Sequence, residues 1–272
     1  MAAKVHKAIQ DAQHQGRRDL DLVEKTITSF NEIPQVLSMT HITRLNLAHN
    51  KIRVVPPAIA ELVNLESLNL YNNYIVELPT SLSGLQRLRV LKLGLNRLDE
   101  LPRGFGAFPV LEILDLTYNN LSERKLSGNF FMMETLRALY LGDNDFEILP
   151  AEVGNLHNLQ VLVLRDNDLT SLPKELGQLK SLRELHIEGN RLQVLPPEVG
   201  LLDIVGPRQI FRLEDNPWIS PIYEQLQIGT NHLMDLLRSA NYQSVYARHV
   251  QAGGAIPPAI HDKSRKSSRR KD

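Results

Sequence analysis

The chain has 272 residues, no cysteine, and 31 acidic against 31 basic side chains, which gives a formal net charge of zero. The lack of cysteine excludes a cysteine nucleophile, a cysteine-ligated zinc site and thiol redox chemistry. A net charge of zero gives the whole molecule no general attraction to nucleic acid or to anionic membranes.

The N-terminal segment mixes charged and apolar side chains. Lys4, Lys7 and Asp11 interrupt any apolar run there, so we expect no signal peptide. Elsewhere no apolar run approaches the roughly 18 residues that a membrane span needs. We expect residues 1–18 to cap the N-terminal end of the fold. Whether they form a helix stays open at this point, although four apolar residues have helical spacing: Val5, Ala8, Ile9 and Ala12.

One pattern, L-x-x-L-x-L-x-x-N, recurs through most of the chain. Its first clear copy ends at Asn50, and the spacing is 23 residues except for a two-residue insertion after Asn119 and a longer last step. A unit of this length cannot bury its apolar face alone, so successive units must stack. The pattern ends in Asn50, Asn73, Asn96, Asn119, Asn144, Asn167, Asn190 and Asn216.

Each position of the unit has a predicted structural role. The leucines of L-x-L should point into the core, and the residues between them should point outward from a short parallel strand. The asparagine amide should bond the backbone of adjacent turns, because buried backbone groups need partners. The second half reads L-P-x-x-(I/V/L)-G-x-L, as in Leu172 to Leu179. Its proline favours a short helical or 3₁₀ segment, and its glycine should allow the close turn back.

The two ends of the repeat array differ from the consensus. Residues 19–30 fit a degenerate first turn, with Lys25 in the asparagine position and apolar residues at Leu20, Leu22, Ile27 and Phe30. The last strand, around Phe211 and Leu213, is followed by Trp218, which we expect to pack as core. Residues 19–218 are therefore predicted to form the repeat array, with about seven full repeats and degenerate terminal turns.

Helices are predicted after the array. Ser220 followed by Pro221 is typical of a helix N-cap with proline in the first turn. Spaced apolar residues over 220–250 favour two or three amphipathic helices, so residues 219–252 should form a C-terminal cap. Residues 253–272 should be a disordered basic tail, with Lys263, Arg265, Lys266, Arg269, Arg270 and Lys271. We favour a solvated tail over a nuclear-localisation or anionic-lipid patch.

The repeat resembles the Ras-group leucine-rich repeats of intracellular signalling proteins over roughly residues 17 to 218. The L-P-x-x-x-G-x-L half is the specific part of this resemblance. It implies an α/β leucine-rich-repeat solenoid with a curved parallel β-sheet on its concave face. Short helical or 3₁₀ segments should lie on the convex side, and a helical cap should close the C-terminal end.

Catalytic motifs are missing from the sequence. Gly104-Phe105-Gly106 is in phase with the repeat and is not followed by the third glycine of a phosphate-binding loop. The nine histidines have no recognised metal-ligand spacing, and no carboxylate pair is placed for acid–base work. We therefore predict a protein that is not an enzyme and has no cofactor and no metal site.

The outward strand residues should form a continuous concave protein-binding face. Tyrosines gather there, and tyrosine is favoured in interface hot spots. From Asp115 onward acids outnumber arginines, so we expect a partner with a basic surface and salt-sensitive association. The predicted contact residues are Asn69, Tyr71, Lys92, Asp115, Thr117, Tyr118, Tyr140, Asp143, Arg165, Asp166, His186 and Glu188.

Several longer runs resemble one focal-adhesion adaptor of this family, among them Leu136 to Leu141, Asp143 to Pro150 and Asn216-Pro217-Trp218. This resemblance implies that the C-terminal LIM region of PINCH binds the concave face, within a complex that also contains integrin-linked kinase and parvin. It implies dampening of Ras-dependent signalling and a focal-adhesion location. The lack of a signal peptide and of a membrane span predicts a cytoplasmic protein, and the basic tail leaves a nuclear fraction open. We expect a monomer that neither binds nucleic acid nor inserts into membranes.

Other functions stay open. The chain could bind a Ras-type GTPase directly, in which case binding should depend on the bound nucleotide. It could also be a regulatory scaffold for a signalling enzyme.

Overall fold

The computed structural model describes residues 2–253 and 257–258. The chain divides into two compact units, residues 1–139 and residues 140–272, and each is described by itself.

The first unit begins with helix α1, Ala2–His14, and continues with short parallel strands. Adjacent strands pair in register, so that Leu20, Leu45 and Leu68 lie side by side in the core. A sixth strand, β6, Ala138–Tyr140, lies where the two units meet in the sequence. The strands before it are β1, Asp19–Asp21; β2, Arg44–Asn46; β3, Ser67–Asn69; β4, Val90–Lys92; and β5, Ile113–Asp115.

The second unit contains strands β7, Val161–Val163; β8, Glu184–His186; and β9, Ile210–Arg212. These strands are also parallel and in register. Three helices follow: α2, Ser220–Ile228; α3, Thr230–Arg238; and α4, Ala240–Gln251. The two or three C-terminal helices that the apolar spacing predicted are thus three.

Short 3₁₀ helices connect the strands on the returning half of the repeats. Several of them, such as Thr80–Gly84 and Lys174–Gln178, follow directly on the proline of the L-P pair. Because proline fixes φ near −65° and has no N–H to satisfy, it is suited to the start of such a turn. Parallel strands, 3₁₀ segments and C-terminal helices together confirm the predicted fold class.

The repeated asparagines hold neighbouring turns together through their side-chain amides. Asn73 is 2% exposed; its Oδ1 accepts from the N–H of Ile52, and its Nδ2 donates to the carbonyls of Leu47 and Leu70, all at 3.0 Å. Asn96, Asn167 and Asn190 make the equivalent bonds. The amide therefore satisfies buried backbone groups that the turn leaves free, as the sequence predicted.

The glycine of the second half has a different role from the predicted one. We expected it to permit a turn, but Gly106 and Gly177 do not have left-handed backbone conformations. What they lack is space: a Cβ on Gly106 would lie 1.8 Å from the carbonyl oxygen of Asn129, and one on Gly177 would lie 2.6 Å from that of Glu198. The glycine therefore allows the close approach of the following repeat.

The N-terminal segment, which the sequence left open, is helical over Ala2–His14. Val5, Ile9 and Ala12 are buried at 4%, 1% and 2% exposure, so the helix covers the start of the core with its apolar face. In the degenerate first turn, the backbone N–H of Lys25 donates to Asn50 Oδ1.

The C-terminal end differs in detail from the prediction. Helix α2 begins at Ser220, but its N-cap residue is Ile219 and no side chain caps it. Trp218 is half-buried, and its indole N–H donates to the carbonyl of Leu213 at 2.9 Å. The basic residues predicted for the tail lie outside the described residues.

Helix α4 is fixed to the last repeat by one buried tyrosine. The hydroxyl of Tyr242 donates to the Leu195 carbonyl at 2.7 Å and accepts from the Leu195 N–H at 3.0 Å. We expect Tyr242→Phe to lower the free energy of unfolding by about 2 kcal/mol, because both backbone groups lose a buried partner. Urea unfolding measures this loss. Tyr223→Phe is the control, since Tyr223 is 56% exposed; equal effects of the two changes would contradict the proposed role of the hydroxyl.

The same tyrosine makes stability dependent on alkaline pH. Burial raises the pKa of Tyr242, more than its hydrogen bond with Leu195 lowers it. Above about pH 10 the unfolded chain releases the phenolic proton while the folded chain keeps it, so stability falls as the pH rises. We expect a smaller loss between pH 9 and pH 11 in Tyr242→Phe than in the wild type, measured by urea unfolding at each pH. A loss of the same size in both proteins would count against this prediction.

Candidate protein-binding face

The outward-pointing residues of each strand, together with the outward-pointing residues among the two or three that follow it, are called the strand face. All twelve predicted contact residues occupy such positions. The first unit holds Asn69, Tyr71, Lys92, Asp115, Thr117 and Tyr118, and the second holds Tyr140, Asp143, Arg165, Asp166, His186 and Glu188.

Two predicted contact residues of the first unit also support their own backbone. Asn69 Oδ1 accepts from the N–H of Tyr71 at 3.0 Å, and Asp115 Oδ1 accepts from the N–H of Thr117 at 2.9 Å. Such bonds from a short polar side chain to the backbone two residues later are common at turns. Each side chain therefore has one oxygen engaged within the chain, and Asp115 has its second oxygen left for other contacts.

Tyr71 is held from two sides in the first unit. Its ring meets the imidazole of His49 edge to face, with 5.7 Å between ring centroids. On the other side the ring lies over Gly94, where an added Cβ would be 3.0 Å from two ring carbons. His49 in turn contacts Asn72, with 2.8 Å between Nδ1 and the amide nitrogen. His49 is not among the predicted contact residues, because its contact with Tyr71 of the next repeat is visible only when the repeats are stacked.

The residue before each repeat asparagine has a left-handed backbone. Tyr118, Asp143 and Asp166 have φ of 59°, 55° and 53°. Asparagine and aspartate tolerate this conformation better than other non-glycine residues. The direction of these three predicted contact side chains is therefore set by the turn of the repeat.

In the second unit Arg165 lies between two carboxylates. Its Nη2 is 2.8 Å from Asp143 Oδ2, and its Nη1 donates to Asp166 Oδ2 at 2.8 Å. The Asp143 side chain is only 10% exposed, whereas the Arg165 side chain is 39% exposed. The structure thus places Asp143 mainly as the support of Arg165 and leaves Arg165 accessible.

The neighbouring repeat carries a histidine between two acids. His186 Nδ1 lies 3.5 Å from Glu188 Oε1, and its Nε2 lies 4.0 Å from Glu184 Oε2. Burial raises the pKa of Glu188, but the hydrogen bond with His186 and the charges of His186 and Arg165 outweigh it, so the pKa lies below its ordinary value. Glu188 is therefore a carboxylate at neutral pH.

The part of the chain that the structure describes also gives a clear answer on metal-binding clusters and membrane-spanning helices. Within residues 2–253 and 257–258, no group of three or more His, Cys, Asp or Glu side chains is arranged to hold a metal ion. No helix in those ranges is long and apolar enough to cross a membrane.

Parallel three-residue strands, connecting 3₁₀ helices and buried asparagine amides define a leucine-rich-repeat protein. Family models agree: one described as a leucine-rich repeat region matches residues 95–205, and one described as a leucine rich repeat matches residues 40–98 and 64–121. Among solved structures, an LRR protein of Leptospira interrogans has a TM-score of 0.59 and 30% identity over 77% of this chain and 57% of its own. The Arabidopsis receptor kinase HAESA has a TM-score of 0.63 and 31% identity over 74% of this chain and 34% of its own.

Curated relatives match nearly the whole chain. Ras suppressor protein 1 of Homo sapiens is 60% identical over 270 residues, covering 99% of this chain and 98% of the human protein. The Bos taurus and Mus musculus proteins of the same name are 61% and 58% identical over the same shares. The chain belongs to the Ras suppressor protein 1 family. Its fold and relatives indicate a protein-interaction scaffold.

Proposed function

We propose that this protein is a non-enzymatic adaptor of integrin and focal-adhesion signalling that binds the C-terminal LIM region of PINCH through the strand face. In this proposal the complex also contains integrin-linked kinase and parvin, and the protein dampens Ras-dependent signalling. The adaptor would act in the cytoplasm at focal adhesions, with a nuclear fraction possible through the basic tail.

The observation that carries the proposal is the fixed arginine of the second unit. Arg165 is half-exposed and held by Asp143 and Asp166, so little side-chain entropy is left to lose on binding. Tyr140 lies half-buried on the same unit and offers an aromatic surface. Exposed arginine and tyrosine are the residue types most enriched in interface hot spots.

The charge of the strand face in the second unit supports a basic partner. Six acids at face positions outnumber two arginines, Arg165 and Arg212. The acids are Asp143, Asp166, Glu184, Glu188, Glu214 and Asp215. A surface of this sign favours a partner of opposite charge and raises the rate of association.

We expect binding of the purified chain to the purified C-terminal LIM region of PINCH to weaken by about tenfold between 0.05 M and 0.5 M NaCl, because salt screens exposed charges. Isothermal titration calorimetry at several salt concentrations measures this change. Binding of constant affinity would contradict the electrostatic part of the proposal, and no binding at any salt concentration would contradict the proposed partner.

Direct binding of a Ras-type GTPase is a second candidate, and it is favoured only by the name of the relatives, Ras suppressor protein 1. The same titration with a GTPase loaded with GDP or with a non-hydrolysable GTP analogue separates the two functions. Tight binding to one nucleotide form, without binding to the LIM region, would favour this second function.

A further inference from the structure

Gly142 follows β6 in the second unit, and its backbone does not require glycine. Its φ is outside the left-handed region, so an ordinary residue could adopt it. The space around Gly142, in contrast, is too small for a side chain without movement of its neighbours. An added Cβ would lie 3.1 Å from Arg165 Cγ and 3.4 Å from both the Arg165 carbonyl oxygen and Val163 Cγ1.

The side chain of Arg165 therefore lies across the place that a residue 142 side chain would occupy. From there its guanidinium reaches Asp143 and Asp166, at 2.8 Å in each case. Both carboxylates belong to residues with left-handed backbones, so their positions are fixed by the turns of their own repeats. Gly142 supplies the remaining condition, which is room for the methylene groups of the arginine.

The first unit contains a related arrangement at the equivalent repeat position, although there the large side chain belongs to the preceding repeat and not to the following one. Gly94 also has a φ outside the left-handed region. A Cβ on it would lie 3.0 Å from Cδ2 and Cε2 of Tyr71 and 3.1 Å from Asp115 Oδ1. In both units a glycine after the second strand leucine lies under a large side chain of an adjacent repeat.

We propose that Gly142 and Gly94 are positioning residues of the strand face. Because glycine has no side chain, each leaves room for a large neighbour, Arg165 or Tyr71, in its binding orientation. This inference rests on the proposed function of the strand face. It adds which residues set the direction of the Arg165 and Tyr71 side chains. Neither glycine needs to touch the partner.

The surroundings of Arg165 also define the chemistry of the group that it would bind. One arginine between two carboxylates has a net charge of −1, and the two carboxylates engage no more than part of its five N–H donors. The remaining donors suit an acceptor that brings no further negative charge. A backbone carbonyl oxygen of the partner meets this requirement, whereas a carboxylate would be repelled by Asp143 and Asp166.

A double-mutant cycle tests the inference on the intact chain. Gly142→Val is made in the wild type and in Arg165→Ala, and affinity for the purified C-terminal LIM region of PINCH is measured for all four proteins. We expect Gly142→Val to weaken binding by about tenfold in the wild type and to have no further effect in Arg165→Ala. Gly128→Val is the matched control, because nothing lies within 4 Å of a Cβ at Gly128.

An equal loss from Gly142→Val in both backgrounds would overturn the inference, since the valine would then act without Arg165. A second readout needs no partner. It is the NMR signal of the Arg165 Nε–H group, which is assigned as the signal that disappears in Arg165→Ala. We expect Gly142→Val to shift this signal in the unbound protein. An unchanged signal would refute the positioning role, whereas a shifted signal without binding by the wild type would refute only the proposed partner.

Discussion

Asn73→Ala is expected to lower the free energy of unfolding by about 2–4 kcal/mol, which is a large effect for a single substitution. The change leaves the buried N–H of Ile52 without the oxygen that accepts it. It also removes one of two side-chain donors from each of two buried carbonyls. Leu47 keeps only the amide of Asn50, and Leu70 keeps only that of Asn96. Urea unfolding followed by circular dichroism measures the loss.

Asn64→Ala is the matched control for this prediction. Asn64 is the same residue type in the same unit, but it makes a single bond, to the exposed carbonyl of Thr40 at 2.8 Å. We expect its replacement to cost less than about 1 kcal/mol, as is usual for surface positions. If the two substitutions cost the same, the buried asparagine amides do not stabilise the stack through their bonds to buried backbone groups.

Gly106→Ala should destabilise the chain by about 3 kcal/mol, at the upper end of what overpacking costs. The added methyl would overlap the backbone of Asn129, with 1.8 Å to the carbonyl oxygen and 2.4 Å to the carbonyl carbon. Neither atom belongs to a flexible side chain, so a segment of the next repeat would have to move. The side chain of Asn129 takes part in the same contact, because its Oδ1 accepts from the N–H of Gly106 at 3.2 Å.

Gly128→Ala separates this effect from a general cost of replacing glycine. Gly128 lies in the same unit, its φ is outside the left-handed region, and a Cβ there would meet nothing within 4 Å. We expect little change in the urea midpoint for Gly128→Ala and a large decrease for Gly106→Ala. A stable Gly106→Ala protein would mean that the next repeat can shift at little cost.

The sequence predicted the repeat architecture well because each element depends on local periodicity. The strand leucines and the asparagines fall where the pattern placed them, and several 3₁₀ helices begin directly after the proline of the L-P pair. The helix Phe105–Ala107 is an exception, because it begins three residues after Pro102. The role of the glycine was predicted wrongly, because a close approach between Gly106 and Asn129 depends on two segments 23 residues apart. Sequence spacing gives the position of a glycine, but not which neighbouring residue packs where its side chain would be.

The candidate site was predictable in position but not in detail. The repeat register alone places Arg165 and Tyr71 on the strand face. It does not give the bond from Asn69 to the N–H of Tyr71, although the residue type allows it. The low exposure of Asp143 and the pairing of Arg165 with two carboxylates depend on how adjacent turns stack, and only the structure shows them.

The strand face is proposed to bind the LIM region, and a double substitution within the second unit tests this binding most directly. We would measure the affinity of the C-terminal LIM region of PINCH for Tyr140→Ala/Arg165→Ala and for a control pair, Arg53→Ala/Arg103→Ala, whose arginines are exposed and off the strand face. Unfolding curves of both variants establish that they are folded. We predict a loss of at least about a hundredfold in the first variant, as expected for two hot-spot residues, and no change in the control. Equal affinity of the two folded variants would contradict the account.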